Sequence, residues 1–346
     1  MSLRGGDCRV LALCASPKIM LKVFHPSVPT ATIIDADRTE ALPADTVWID
    51  LFEPTHREEQ LVERLSGHAI PTLEEMAEIE QSSRLYEDNG AIYMTATVLS
   101  GLDENDPVAT PISFVLTNKY LITVRYADPK PFRVFAAHIA RQPELLGNAM
   151  ETLVKLLDAI VDRMADSLEQ VASEIELVSK RVFRRSADER GKRIPALKLE
   201  ALLVRIGGCQ DLLSKARETA GSTTRLLTFV AACSHFRGNT EQRDHIRSLS
   251  EDVDSLIDHS AFLSNNITFL LDASLGLINI EQNAILKIFS VASVILLPPT
   301  LVGAIYGMNF DHMPELKWVF GYPMALIMML ASAALPYLYF RRRGWL

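Results

Sequence analysis

IFSVASVILLPPTLVGAIYG, residues 288–307, runs for about twenty residues without a charge, the length a helix needs to cross the hydrocarbon core of a bilayer. Upstream of it the helical period continues back to about residue 241 with no strong stop. If unbroken, that helix holds about 65 residues and reaches about 100 Å at 1.5 Å per residue. One small core cannot bury it, so it reads as a stalk that becomes a membrane span. A second uncharged run, YPMALIMMLASAALPYLYF (322–340), ends abruptly on Arg341, Arg342 and Arg343. Two buried core helices would be similarly apolar, but the lengths, the arginine stop and the Tyr and Trp residues near the ends fit spans. The triple arginine assigns the C-terminus to the cytoplasm. Two spans then bring the large N-terminal part to the same side and put the connector between them on the other.

The rest of the chain reads as soluble. Runs such as TVWIDL, GAIYMTATVLS, ISFVLT and YLITVRY are rich in β-branched and aromatic residues, and TNKY between the last two predicts a hairpin turn. HREEQLVERLSG and PTLEEMAEIEQSS predict helices, the second opening at Pro71. From about Gly147 the strand signal gives way to helical period, with breaks at GKRIP and HFRGNT. Met20 starts MLKVFHPS in the manner of a natural beginning, and residues before it carry no functional signal. The expected organisation is 1–19 an extension, 20–145 an α+β cytoplasmic domain, 146–287 a helical stalk region, 288–307 and 321–340 transmembrane helices, 308–320 an extracytoplasmic loop, and 341–346 a basic tail.

Composition narrows the function. The 346 residues carry a formal net charge of −8 and no basic stripe with interleaved aromatics, which argues against a nucleic-acid partner. Four scattered cysteines (Cys8, Cys14, Cys209, Cys233) make no CxxC pair and read as small apolar residues in a reducing compartment. No HExxH, GxSxG, P-loop or GxGxxG motif supports an enzyme or an organic cofactor.

The helix feeding the first span has a further pattern. Asp272, Leu275, Asn279, Asn283, Leu286, Ser293, Leu297, Thr300 and Ala304 follow one another at three- and four-residue steps or their multiples. The stripe fits either close helix packing or a pore lining of polar rings and apolar constrictions. Two spans per chain cannot enclose a wide path, so a pore requires several copies around an axis. Gly307 is expected to let the backbone leave the helix in a left-handed conformation. Taken alone, Gly307-Met308-Asn309 reads as a helix cap at least as readily as a ligand site.

Tyr306-Gly307-Met308-Asn309, followed by Met313-Pro314-Glu315-Leu316, resembles the signature of the CorA magnesium/cobalt transport family. The likeness extends through NIEQN and KIFSV before the motif, KWVFGYP and PYLYFRRRGWL after it, and WIDLFEP at residues 48–54. It covers about residue 20 to the end and is densest from Asp272. It implies a homopentameric, funnel-shaped channel in a bacterial-type inner membrane, with both termini cytoplasmic, the first spans lining the pore and the second surrounding them. The implied cargo is hydrated Mg²⁺, with Co²⁺ and Ni²⁺ besides. By the resemblance Gly307, Met308 and Asn309 form the selectivity filter. Asp272, Asn283 and Thr300 match polar pore positions, and Leu286 and Leu297 stand as gates, Leu297 where some relatives carry Met. Ser293 and Ala304 complete the lining. Asp311 and Glu315 in the loop read either as attractors of cations or as solubilising charge. Glu74 and Glu75 resemble the family's regulatory Mg²⁺ ligands, with Asp252 or Asp254 as their stalk partners. A zinc transporter of the same fold is the alternative, and a non-conducting membrane-tethered scaffold is a further one. No ATP site is needed, because a unit charge crossing 100 mV gains about 2.3 kcal/mol and a divalent ion about twice that.

Overall fold

The computed structural model describes residues 21–104, 106–188, 196–233, 240–308 and 318–345. The chain divides into two compact units, one of residues 1–178 with 206–267, the other of residues 179–205 with 268–346.

The first unit is built on one seven-stranded sheet in the order β2-β1-β3-β7-β6-β5-β4. Its strands are β1 (Leu21–His25), β2 (Val28–Ile33), β3 (Trp48–Phe52), β4 (Leu85–Asp88), β5 (Ala91–Ser100), β6 (Val108–Leu116) and β7 (Leu121–Arg125). β3 and β7 are parallel, and every other pair is antiparallel. Alternation along each strand separates two cores. Leu21, Val23, Ile49, Leu51, Ile122 and Val124 pack with Leu61, Val62 and Met76 from the helices α1 (His56–Ser66) and α2 (Leu73–Ala77). Phe24, Trp48, Met94, Phe114 and Leu121 face the other way. They pack with Phe132 and Phe135 of α4 (Lys130–Arg141) and with residues of α5 (Ala149–Asp188), α6 (Ala196–Ala232) and α7 (Thr240–Tyr306).

WIDLFEP owes its place to this sheet. Trp48 stacks on Phe24 at 4.2 Å and its indole N–H donates to Thr123 Oγ1 at 2.9 Å. Asp50, buried in the same face, accepts from Thr123 Oγ1 at 2.9 Å and from Arg125 Nε and Nη2 at 3.0 and 2.9 Å. Arg125 also reaches Asp128 at 2.7 Å and lies over the rings of Phe52 and Phe132. Burial opposes its charge, yet Asp50 and Asp128 together hold its pKa above the usual value.

The expected hairpin at TNKY is present. Thr117 N–H donates to Tyr120 O at 2.9 Å, and Tyr120 N–H to Thr117 Oγ1 at 2.8 Å. The helix expected over PTLEEMAEIEQSS is shorter and broken. It starts after Thr72, the N-cap of a capping box with Glu75, and not at Pro71. It ends at Ala77, where Glu78 turns extended and the Arg84 guanidinium takes the carbonyls of Met76 and Glu78. A four-residue helix α3 (Gln81–Arg84) follows. The expected break at GKRIP, most of HFRGNT and residues 1–20 lie outside the described residues.

The second unit contains the apolar part of α7 and the helix α8 (Gly321–Arg342). α7 is unbroken over 67 residues, close to the length read from the sequence. Both helices are long and apolar enough to cross a membrane, and the most apolar window of each is almost wholly uncovered, 6% and 0% buried respectively. A soluble core helix would be covered; these two leave their apolar side chains for another medium or another chain.

Candidate functional site

At 100° per residue, Asp272, Asn283, Leu286, Ser293, Leu297, Thr300 and Ala304 fall within an arc of about 100° on α7. All seven are exposed, Leu286 by 62% and Leu297 by 64%. Leu275 and Asn279 on the same stripe are exposed as well. Val291 is buried and Ile295, Pro298 and Val302 are half-buried, on a face roughly 140° round the helix. Gly303, which lies between that face and the stripe, meets α8: an added Cβ there would stand 3.1 Å from Met329 Cε. Because its residues are all exposed, the polar stripe is not covered by α8 or by any other of the described residues.

Two hydroxyls on the stripe satisfy their protons locally. Ser293 Oγ donates to Phe289 O at 2.9 Å and Thr300 Oγ1 to Leu297 O at 2.8 Å. Each oxygen keeps lone pairs for an outside donor such as a water of hydration. Pro298 and Pro299 sit inside the helix and deprive the carbonyls of Val294 and Ile295 of their i+4 donors.

The end of α7 corrects one expectation. Among the described residues the glycines with positive φ are Gly67, Gly90, Gly101 and Gly344, so Gly307 is not left-handed. The last turn tightens instead. Gly307 N–H donates to Gly303 O at 2.9 Å and Met308 N–H to Ile305 O at 3.3 Å, which occupies end carbonyls without a left-handed cap. Met308 is 46% exposed at the tip. Asn309, Asp311 and Glu315 lie outside the described residues.

The expected regulatory acids belong to the first unit. Glu75 is engaged as a cap: its carboxylate accepts from Thr72 N–H at 2.8 Å and Thr72 Oγ1 at 3.0 Å. Glu74, Asp252 and Asp254 are exposed. Among the described residues, no three His, Cys, Asp or Glu side chains of one chain converge as a metal site. The structure adds acids that were not singled out from the sequence. Asp158, Asp162 and Asp166 line one face of α5 at four-residue steps, and Asp252 of α7 acts on the same group. Desolvation, then Asp158, Asp166 and Asp252, raise the Asp162 carboxyl above its ordinary pKa. The spacing in LLDAIVDRMAD was the available signal; the approach of α7 was not readable.

An α+β unit runs on, through one continuous helix, into two uncovered apolar helices, the first carrying an exposed polar stripe; this is the arrangement of a membrane transporter, and the family match bears it out. The family description that matches is CorA-like Mg2+ transporter protein, over residues 43–342. The chain belongs to this family. It is 34% identical over 328 residues to the magnesium transport protein CorA of Salmonella typhimurium, covering 94% of this chain and 100% of that one. The same figures hold for the magnesium transport protein CorA of Escherichia coli. Among solved structures, the complete CorA magnesium transporter of Methanocaldococcus jannaschii matches with a TM-score of 0.72 at 20% identity, over 95% of this chain and 99% of that one. The full-length CmaX protein matches with a TM-score of 0.65 at 15% identity, over 94% and 98%. These two likenesses concern the fold.

Proposed function

We propose that this protein is a passive Mg²⁺ channel, formed by several copies whose α7 stripes face a common axis. The observation that carries the reading is the stripe itself: polar and apolar side chains alternating along a span, all exposed and none covered within the chain. A packing stripe would be covered within the chain or uniformly small; this one mixes Asn283, Leu286, Ser293, Leu297 and Thr300. Family membership supports five copies, and the arginine stop supports cytoplasmic termini in an inner membrane.

Mg²⁺ is small, holds its water tightly and is costly to strip. A ring of Asn309 carboxamides at the outer mouth accepts hydrogen bonds from that water. Neutral acceptors bind weakly enough to let the ion pass on, where a carboxylate ring would hold it. Gly307 and Met308 set the position of the ring, and Asp311 and Glu315 raise the local cation concentration. Below it, Thr300, Ser293 and Asn283 offer polar steps, Leu297 and Leu286 the apolar constrictions between them, Ala304 a narrow upper turn, and Asp272 an anionic inner mouth. An inside-negative potential supplies the drive.

Internal Mg²⁺ closes the channel by binding acids between neighbouring copies. Asp162 lends support: desolvation first, then Asp158, Asp166 and Asp252, raise its carboxyl pKa, and a divalent cation brought between copies offsets the part due to those acids. Glu74 and Asp254 contribute from exposed positions, and Glu75 does so only if it leaves its cap.

The test is Mg²⁺ uptake into vesicles by the wild type and Asn309→Ala side by side, with Co²⁺, Ni²⁺ and Zn²⁺ as competitors. Loss of selective uptake with the oligomer intact is expected. Uptake unchanged by the substitution would overturn the filter assignment. Preferential competition by Zn²⁺ would favour a zinc transporter, and no flux from either protein a scaffold.

A further inference from the structure

The basic ends of the two spans meet in a built structure. α8 stops at Arg342, and Gly344, at φ +70°, turns the chain back. Gly344 N–H donates to Arg341 O at 3.2 Å and Trp345 N–H to Phe340 O at 3.0 Å. The Trp345 ring thereby stacks on Phe340 at 5.4 Å and receives the Lys287 ammonium of α7 at 5.2 Å. The Arg343 guanidinium lies over Tyr339 at 5.5 Å.

Arg341, Arg342 and Arg343 are exposed, and among the described residues neither they nor Lys287 pair with a carboxylate. α7 carries no acid from residue 282 onward and α8 none at all. Four cations thus gather at one end of two apolar helices in a chain whose net charge is −8. Basic residues commonly end spans. What goes beyond that here is the turn at Gly344, which carries Trp345 across to a lysine of the other helix.

We propose that Lys287, Arg341, Arg342, Arg343 and Trp345 form a site for the headgroup of an anionic phospholipid in the leaflet they face. This rests on the reading of α7 and α8 as membrane spans. Basic pockets between spans suit such headgroups, and an indole sits well at headgroup depth. The surface of α8 beside the cluster suits acyl chains: Leu335 and Leu338 are exposed by 70% and 51%. That apolar continuation selects a lipid over free phosphate.

The full chain, extracted from vesicles of phosphatidylcholine doped with phosphatidylglycerol, is weighed intact with its retained lipid. Phosphatidylglycerol is expected in excess over its share, and millimolar inorganic phosphate leaves it bound. At about fivefold per basic residue, the triple change Arg341→Gln, Arg342→Gln, Arg343→Gln lowers the preference at least tenfold. The pair Lys287→Gln and Trp345→Ala, which keeps the arginine stop, lowers it about fivefold and serves if the triple variant does not insert. Equal retention of both lipids, displacement by phosphate, or an unchanged preference in the pair variant would overturn the site. Mg²⁺ uptake in pure phosphatidylcholine vesicles separates the two proposals. Flux without lipid preference rejects only the lipid site.

Discussion

Asp50 and Arg125 are each 3% exposed and joined at 2.9 Å, a fully desolvated pair under an aromatic lid. Removing Asp50 leaves the buried Arg125 charge with only the more exposed Asp128 as partner. Asp50→Ala is therefore expected to cost about 3–5 kcal/mol, read as a lowered melting temperature of the full chain in detergent. Asp162 gives the opposite sign. Its folded pKa is raised, by desolvation first and by Asp158, Asp166 and Asp252 after it. The folded state thus holds that proton more tightly than the unfolded state. Its stabilising contribution is complete below the unfolded value near 4 and is lost as pH rises through the folded one. Asp162→Asn is expected to raise the melting temperature at pH 7 modestly, since the residue is exposed, and the gain shrinks as pH falls towards about 4. WIDLFEP was legible as a strand from its residues and as a landmark through the family resemblance. Its partner Arg125, seventy-five residues away from Asp50, was not, because the parallel β3–β7 pairing that joins them has no local signal.

At the scale of elements, the helices with uninterrupted period were the readable ones. α7 and α8 declared themselves through long apolar runs and a sharp arginine stop. α4 did not: its N-cap is Pro129 and Pro131 stands in its first turn, where proline suits a helix but gives no helical signal of its own. β2 (VPTATI) contains a proline and β4 (LYED) is short and charged; both are edge strands, where such residues are tolerated and the strand signal is weak. The stripe on α7 was legible by spacing, whereas its exposure and the contact of Gly303 with α8 depend on the fold. That contact is testable at Gly303. An added Cβ meets only the flexible end of Met329 at 3.1 Å, so Gly303→Ala is expected to retain uptake. Gly303→Leu overpacks the contact, costing about 1–3 kcal/mol, and is expected to lower the oligomer's melting temperature and its flux.

Across the whole molecule, the stripe makes a claim about neighbouring copies. In a background lacking Cys8 and Cys14, with Cys209 and Cys233 buried, single cysteines replacing Leu297 or Thr300 are expected to cross-link between copies on oxidation. A cysteine replacing Ile327, 66% exposed on α8, is expected to stay monomeric on a denaturing gel. Cross-linking at Ile327 alone would reverse the assignment of the two spans. α7 also has a role in time. Ile246, Leu249 and Val253 complete the core that begins with Phe24 and Trp48, so the sheet waits for this helix before it can close. The uncharged run starts at residue 288 of the same helix. At about 5–20 residues per second of synthesis, the two segments leave the ribosome about 2–7 s apart. The soluble domain therefore has only seconds to seal itself before the next part of its last helix must be handed to the membrane.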